Sequence, residues 1–404
     1  MVHDATPQDG GAPVITLFTE SRFGSDANGR VATHDGAMSG LNWQRGLSGL
    51  GSLRLAGRVQ TVPSRVDGFL EGAIVNLPYY VGPRQLVPRL WSLISAIDRA
   101  VVSSQVVCVK LPGIIGTVAT ASAVVRKRTI AAEVVGDVDE VLRAGVVGRS
   151  GTFFAPVASA ITRWAVRRAS AVRYVTKKSL QAKYPSSETA SVVVHTDVAI
   201  DTAAPTNPRQ IDTGLIVTVG SQEQMYKGQD VLIRALPSVI ERCPRAHLEI
   251  IGDGRYQDTL KGIVNELGLD NRVSFAGYIS NRSDLIARLD SAEVFALPSL
   301  TEGLPRALIE AMSRGLPCVA SSVGGVPELL DSVAMCAPGN PSAMAELLIT
   351  ALSDDTFQEE QGRRNQAVAS AYTRDRMSAS SVAWRDAVSR LVEIPTIGKR
   401  GRSR

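Results

Sequence analysis

Short apolar runs rich in valine, isoleucine and leucine recur along the chain, and helix-patterned segments fill most of the gaps between them. A strand, a crossover helix and a second strand pack as a parallel sheet, because the helix must return over the sheet and bury its apolar stripe there. The first half carries such runs at Val14–Thr19, Ser52–Val59, Gly72–Leu77, Val106–Lys110, Thr129–Val135, Ala171–Thr176 and Ser191–Val194. The second half restarts the pattern at Gly214–Gly220, His247–Gly254, Arg272–Tyr278, Val294–Ser299 and Pro317–Ser321. There a helix-like segment of a dozen or more residues precedes every run except the one at Val294. The class is α/β, with parallel sheets covered on both faces.

A chain of 404 residues is long enough for two domains, each with its own core. The stretch 201–213, DTAAPTNPRQIDT, has two prolines and no periodicity, and is the natural linker. The expected organisation is a first domain over 1–200, the linker, a second domain over 214–371, a helix over 372–394 packing back toward the first domain, and a basic tail over 395–404. A net charge of +5 is too small for a dedicated nucleic-acid binder and favours phosphate-bearing ligands or anionic lipid. Cys108, Cys243, Cys318 and Cys336 lack metal-ligand spacing and are expected to be reduced thiols of a cytosolic protein. The N-terminus shows no secretory signal, and the low-charge stretch Leu111–Val125 is too short to span a bilayer.

Ligands of open parallel sheets bind beyond the carboxyl ends of the strands. The turn Gly252–Gly254 (GDG) follows such a strand, and its glycines would let backbone approach a ligand, although a tight turn needs the same residues. The segment Pro298–Leu330, PSLTEGLPRALIEAMSRGLPCVASSVGGVPELL, holds two carboxylates, Glu302 and Glu310. With a helix starting near Leu304, Glu302 lies in the loop before it and Glu310 about two turns inside. The vicinal hydroxyls of a ribose suit a carboxylate, and the Gly303 and Leu304 N–H groups could meet a diphosphate at the helix start. A helix-start preference for Glu302 and a solvated Glu310 explain the same residues equally well.

That segment resembles the signature of the retaining glycosyltransferases of family 4, through Glu302, Gly303, Glu310, Gly315, Pro317, Gly324, Gly325 and Glu328. The resemblance continues through GSQEQMYKGQDVLIRAL, HLEIIGDG and FAGYI and covers nearly the whole second half, while the first half is similar only loosely. It implies the GT-B fold, two Rossmann-like doubly wound domains facing across a cleft. It also implies a metal-independent enzyme moving a hexose-type sugar from a nucleotide-diphosphate donor (UDP, GDP or ADP) to an acceptor hydroxyl, with no tightly bound cofactor. On the family pattern Glu310 binds the donor ribose, Glu302 the transferred sugar and Lys227 the diphosphate. Ser221 stands where many members have arginine, Tyr278 lies near the nucleobase, and Gly252 and Gly254 lie along the donor site. For Tyr278, a core aromatic is an equal alternative.

The acceptor belongs to the first domain, and is a carbohydrate, a lipid-linked sugar or a small molecule. Gly24, Asp26, Asn28 and Gly29 form a polar loop after the first strand, facing the cleft. Asp137 stands roughly where several members carry a histidine and is the candidate for acceptor contact; Glu133 supports it or pairs with a basic residue. Asp137 and Asp139 also form a D-x-D triplet, but the two-domain pattern argues against metal use, and the histidines are scattered. Arg163, Arg167, Arg168, Arg173, Lys177 and Lys178 cluster around Trp164, as Arg126, Lys127 and Arg128 cluster elsewhere. A solvated helix face is the preferred reading; peripheral contact with the anionic inner face of a membrane is the other. A non-catalytic partner subunit and a sugar-nucleotide epimerase are the competing functions, alongside polysaccharide, glycolipid or small-molecule glycosylation.

Overall fold

The computed structural model describes residues 12–26, 31–33, 46–61, 73–145, 151–196, 198–200 and 209–393. They form two compact units: one of 1–138, 156–197 and 379–404, the other of 139–155 and 198–378.

The first sheet holds β1 (Val14–Ser25), β2 (Val31–Thr33), β3 (Ser52–Thr61), β4 (Ala73–Leu77), β5 (Val106–Leu111), β6 (Thr129–Val134), β7 (Ala171–Tyr174) and β8 (Ser191–Val194). Its order is β4-β3-β1-β5-β6-β7-β8, parallel throughout, with β2 pairing antiparallel on the end of β1. Chain direction across the sheet reverses between β1 and β5, the switch point of a doubly wound sheet. On one face, the helices Leu90–Val102, Ile114–Val125 and Gly151–Arg167 bury Leu93, Ile97, Ile115, Ala119, Ala165 and Val166 against Val107, Val109 and Ala132. On the other, Trp384, Ala387, Val388 and Leu391 of the last helix, Arg374–Val392, close over Ile15, Leu17, Leu55 and Ala131.

The second sheet holds β9 (Leu215–Val219), β10 (His247–Ile251), β11 (Val273–Gly277), β12 (Val294–Leu297), β13 (Cys318–Ser321) and β14 (Met335–Cys336). Its order is β11-β10-β9-β12-β13-β14, all parallel, so its switch point lies between β9 and β12. Two cores cover its faces, one built on the helices Gln229–Arg242 and Pro341–Ser353, the other on Arg306–Ser313.

Four local expectations need correction. β1 does not stop at Thr19: a bulge between Phe18 and Arg22 lets it run to Ser25, so Gly24 is a strand residue paired with Ala32 and Gln60 rather than a loop residue. A helix, Arg282–Ser291, does precede β12; it buries only Leu289 and therefore has little apolar periodicity. The helix after Glu302 starts at Arg306, because Pro305 takes an extended conformation as its cap. Glu310 is thus one turn inside that helix, and Gly303 and Leu304 precede it. The fourth is the basic cluster: Arg173 is a buried β7 residue whose guanidinium meets Glu133 at 2.9 Å. Asn28, Gly29, the linker residues 201–208 and the tail 395–404 lie outside the described residues.

Candidate functional site

The loops leaving β9 and β12, at the switch point of the second sheet, bring together two charged residues far apart in sequence. Lys227 Nζ donates to Glu302 Oε1 at 2.7 Å, and Ser299 Oγ donates to the same oxygen at 2.7 Å. Gly228 makes this approach possible. It has φ of 71°, and a Cβ there would sit 2.0 Å from the Pro298 carbonyl oxygen. Beside it, Leu300 N–H donates to the Tyr226 carbonyl at 2.7 Å, tying the two loops. Burial opposes the charge on Lys227, but the Glu302 carboxylate, with the Tyr226 phenol, outweighs it and holds the ammonium above its ordinary pKa. The result is a partly buried cation with an acidic partner, fixed at the end of the sheet where anions bind.

Glu302 is itself held by the loop after β13. Gly324 has φ of 51°, a Cβ there would fall 1.8 Å from the Glu302 carbonyl oxygen, and Gly325 N–H donates to Gly303 at 2.8 Å. Glu310, 13% exposed in its side chain, has Arg282 at 3.7 Å. Tyr278 is 67% exposed, which excludes the core-aromatic reading. It borders an open cavity of about 600 Å³ whose lining includes Ser280, Asn281, Asp284, Arg288 and Glu249. Glu249 accepts from Arg288 at 2.8 Å, while its Oε2 is buried without a partner.

The glycines of the GDG turn are explained by packing of chain on chain. A Cβ on Gly252 would lie 2.2 Å from the Gly220 carbonyl oxygen, and one on Gly254 would lie 2.3 Å from the Gln222 backbone. Ser221 Oγ accepts from Glu223 N–H at 3.2 Å, closing the turn after β9. Ser299 and Arg282 carried no expectation from sequence; each becomes visible only when its loop is folded beside a glutamate.

In the first unit, Asp26 is buried at the end of β1. Asp137 is also buried, with Tyr184 Oη donating to Oδ1 at 2.5 Å and Lys183 Nζ donating to Oδ2. Asp139, already part of the second unit, pairs with Arg143 at 2.9 Å, so both carboxylates of the D-x-D triplet have basic partners. Glu133 stands in register with Lys110 on β5 and Arg173 on β7, a ladder across three strands. Arg173 carries it on to the Trp384 ring at 5.7 Å. Glu133 therefore takes the basic-partner alternative. Glu20, at the β1/β5 switch point, carried no expectation from sequence: its Oε1 accepts from Ile115 N–H at 2.7 Å and its Oε2 from Tyr80 Oη at 3.0 Å. Burial and Glu20 together push the Tyr80 phenol pKa up. The four cysteines are free, and among the described residues no group of His, Cys, Asp and Glu could hold a metal ion.

Residues 213–354 match the family model described as glycosyl transferases group 1. The chain is 24% identical over 341 residues to Protein CapJ of Staphylococcus aureus, an overlap of 82% of this chain and 85% of that protein. It is 33% identical over 165 residues to the GDP-mannose-dependent monoacylated alpha-(1-6)-phosphatidylinositol monomannoside mannosyltransferase of Corynebacterium glutamicum, spanning 42% of that relative's length. Among solved structures, Anabaena HepE in complex with UDP-glucose superposes with a TM-score of 0.63 at 17% identity, covering 94% of this chain and 100% of that one. Sucrose-phosphate synthase from Thermosynechococcus elongatus gives 0.65 at 15% identity, covering 94% and 99%. The fold is GT-B, and the stretch that matches the glycosyl transferases group 1 model lies within its second unit.

Proposed function

We propose that the protein is a retaining glycosyltransferase that moves a hexose-type sugar from a nucleotide-diphosphate donor to an acceptor hydroxyl, in bacterial polysaccharide, glycolipid or small-molecule glycosylation. The observation that carries this reading is the Lys227–Glu302 pair at the switch point of the second sheet. A diphosphate needs a fixed cation where its leaving charge develops, and Lys227 is one. Glu302 holds that ammonium in place and offers its second oxygen to the hydroxyls of the transferred sugar. Glu310, one turn into its helix, takes the ribose hydroxyls, with Arg282 setting its orientation. Tyr278, exposed on the same β11 loop that leads to Arg282, flanks the base.

The bond from the anomeric carbon to the diphosphate breaks as the bond from the acceptor oxygen to that carbon forms on the same face. The acceptor proton passes to an oxygen of the departing phosphate. Lys227 and nearby backbone amides take up the charge left on the diphosphate, a role that needs no divalent cation. On the acceptor side, Asp26 and the end of β1 are candidates for a substrate role. Asp137 acts there as a positioning group, its charge already balanced by Lys183. Relatives that use GDP-mannose and a neighbour solved with UDP-glucose leave both bases as arms of the test.

The test is a thermal-shift series with UDP-, GDP- and ADP-sugars on the whole protein and on Glu310→Ala. We expect one base to raise the melting temperature of the wild type, and the variant to lose that rise and sugar transfer while keeping its unliganded melting temperature. No response to any nucleotide sugar, or unchanged turnover in Glu310→Ala, would refute the donor site.

A further inference from the structure

Glu302 is also held by a residue that the chain supplies from its first half. Residues 139–155 precede the linker, yet they belong to the second compact unit. Among them, in the short helix Val138–Arg143, is Glu140. Its Oε1 accepts from Gly324 N–H at 3.1 Å and its Oε2 from Thr301 Oγ at 3.4 Å. Thr301 is buried and directly precedes Glu302. Gly324 is the residue whose Cβ position the Glu302 carbonyl oxygen leaves no room for. One carboxylate thus grips the residue before Glu302 and the loop that lies against the Glu302 carbonyl.

An acidic residue in the first turn of a helix is ordinarily explained by the positive end of the helix dipole. The amides of the loop after β13 give Glu140 a more specific task. Ser322 N–H donates to the Cys336 carbonyl at 2.8 Å, Val323 N–H to Ser321 at 3.0 Å, Gly325 N–H to Gly303 at 2.8 Å and Val326 N–H to Val323 at 2.9 Å. All four bonds stay within the second half of the chain. Gly324, at φ of 51°, differs: its N–H has the Glu140 carboxylate, a charged acceptor and so a stronger one than a carbonyl. Without it that N–H would turn to water or to another carbonyl, and the loop would shift beneath Glu302. On its other side Glu302 meets Lys227 and Ser299, each at 2.7 Å, a geometry that holds only while its backbone is fixed.

We propose that Glu140 is a positioning residue of the Lys227–Glu302 pair. It fixes the backbone from which Glu302 reaches Lys227 and, on the donor-site reading, the transferred sugar. Its part in sugar transfer rests on that reading; its part in the ion pair does not.

Glu140→Ala, Glu140→Asp and Glu140→Gln in the whole protein test it. Glutamine keeps an oxygen for Gly324 N–H and an amide for the Thr301 hydroxyl, whereas aspartate keeps the charge but draws the carboxylate back by one methylene. The ionisation of Lys227 is read without any ligand, by competitive labelling with acetic anhydride across alkaline pH followed by peptide mass spectrometry. Against burial, which lowers it, Glu302 holds the Lys227 pKa above its ordinary value, so a loosened pair titrates at lower pH. That downward shift is expected in Glu140→Ala and Glu140→Asp and not in Glu140→Gln. Release of nucleoside diphosphate from the UDP-, GDP- or ADP-sugar that stabilises the wild type should fall in kcat by about tenfold or more in the first two variants, with glutamine recovering most of the loss. Wild-type titration of Lys227 in the alanine and aspartate variants, or a loss that glutamine shares in full, would overturn the proposal. A wild type that responds to no nucleotide sugar would refute the donor site alone, since the labelling result stands without a ligand.

Discussion

Lys227 shows how much a single residue's role depends on its partner. Held alone at that depth it would tend to shed its proton, and Glu302 reverses the tendency. Its folded-state pKa is raised, so the pair's contribution to stability is fully present below the unfolded value. It is lost only as the pH climbs through the raised value, above the ordinary lysine range. The stability difference between wild type and Lys227→Gln should therefore be level across neutral pH and shrink only in strong alkali, as read from denaturant midpoints. On the donor-site proposal, transfer by Lys227→Gln should fall about a hundredfold or more in kcat, since the leaving charge would lose its fixed cation. Lys227, Glu302 and Glu310 stood out in the sequence only through the family resemblance, and the Lys227–Glu302 hydrogen bond, spanning 75 residues, did not stand out at all. Several other signature residues turn out to be architecture. Gly324 is there because the Glu302 carbonyl leaves no room for a side chain, and Gly315 ends the helix after Ser313 with φ of 69°.

At the scale of the element, strands were easier to read than helices. The run Ser191–Val194 coincides with β8, and most other runs fall within a few residues of a strand. Completely buried parallel strands leave continuous apolar runs that need no partner to be recognised. β2 and β14, at three and two residues, are too short to leave such a mark. Helix Ile114–Val125 shows what pattern alone misses: its start is capped by Glu20, a residue 95 positions away, whose carboxylate occupies the first turn. Glu20→Ala should lower the stability of the protein by about 1–2 kcal/mol, and Glu20→Gln by less, in urea unfolding. A loss equal in both variants would place the effect in the charge rather than in the accepted hydrogen bond.

At the scale of the whole molecule, the same six-strand order, with one central reversal, occurs in each unit once the short β2 and the extra edge strand β8 are set aside. The repeated alternation in the sequence carries that architecture. What the sequence could not carry is which distant segment completes which core. Trp384, buried to 3% exposure, lies with Ile15, Leu17 and Leu55, and its ring is stacked by Arg173 from the Lys110–Glu133–Arg173 ladder. Trp384→Ala should cost about 3–5 kcal/mol and be measurable as a large drop in melting temperature, with no change in the spectrum of nucleotides bound.

The last helix also sets an order of events during synthesis. All strands of the first sheet are made by Val194, yet most of the side chains that cover one of its faces, Trp384, Ala387, Val388 and Leu391, come only with the last helix. For the time the ribosome takes to add the second half, Ile15, Leu17 and Leu55 wait without most of their lid. The nascent chain is then most dependent on chaperones, and a ribosome stalled anywhere in the second half would leave a product whose first sheet is built but largely bare on one face.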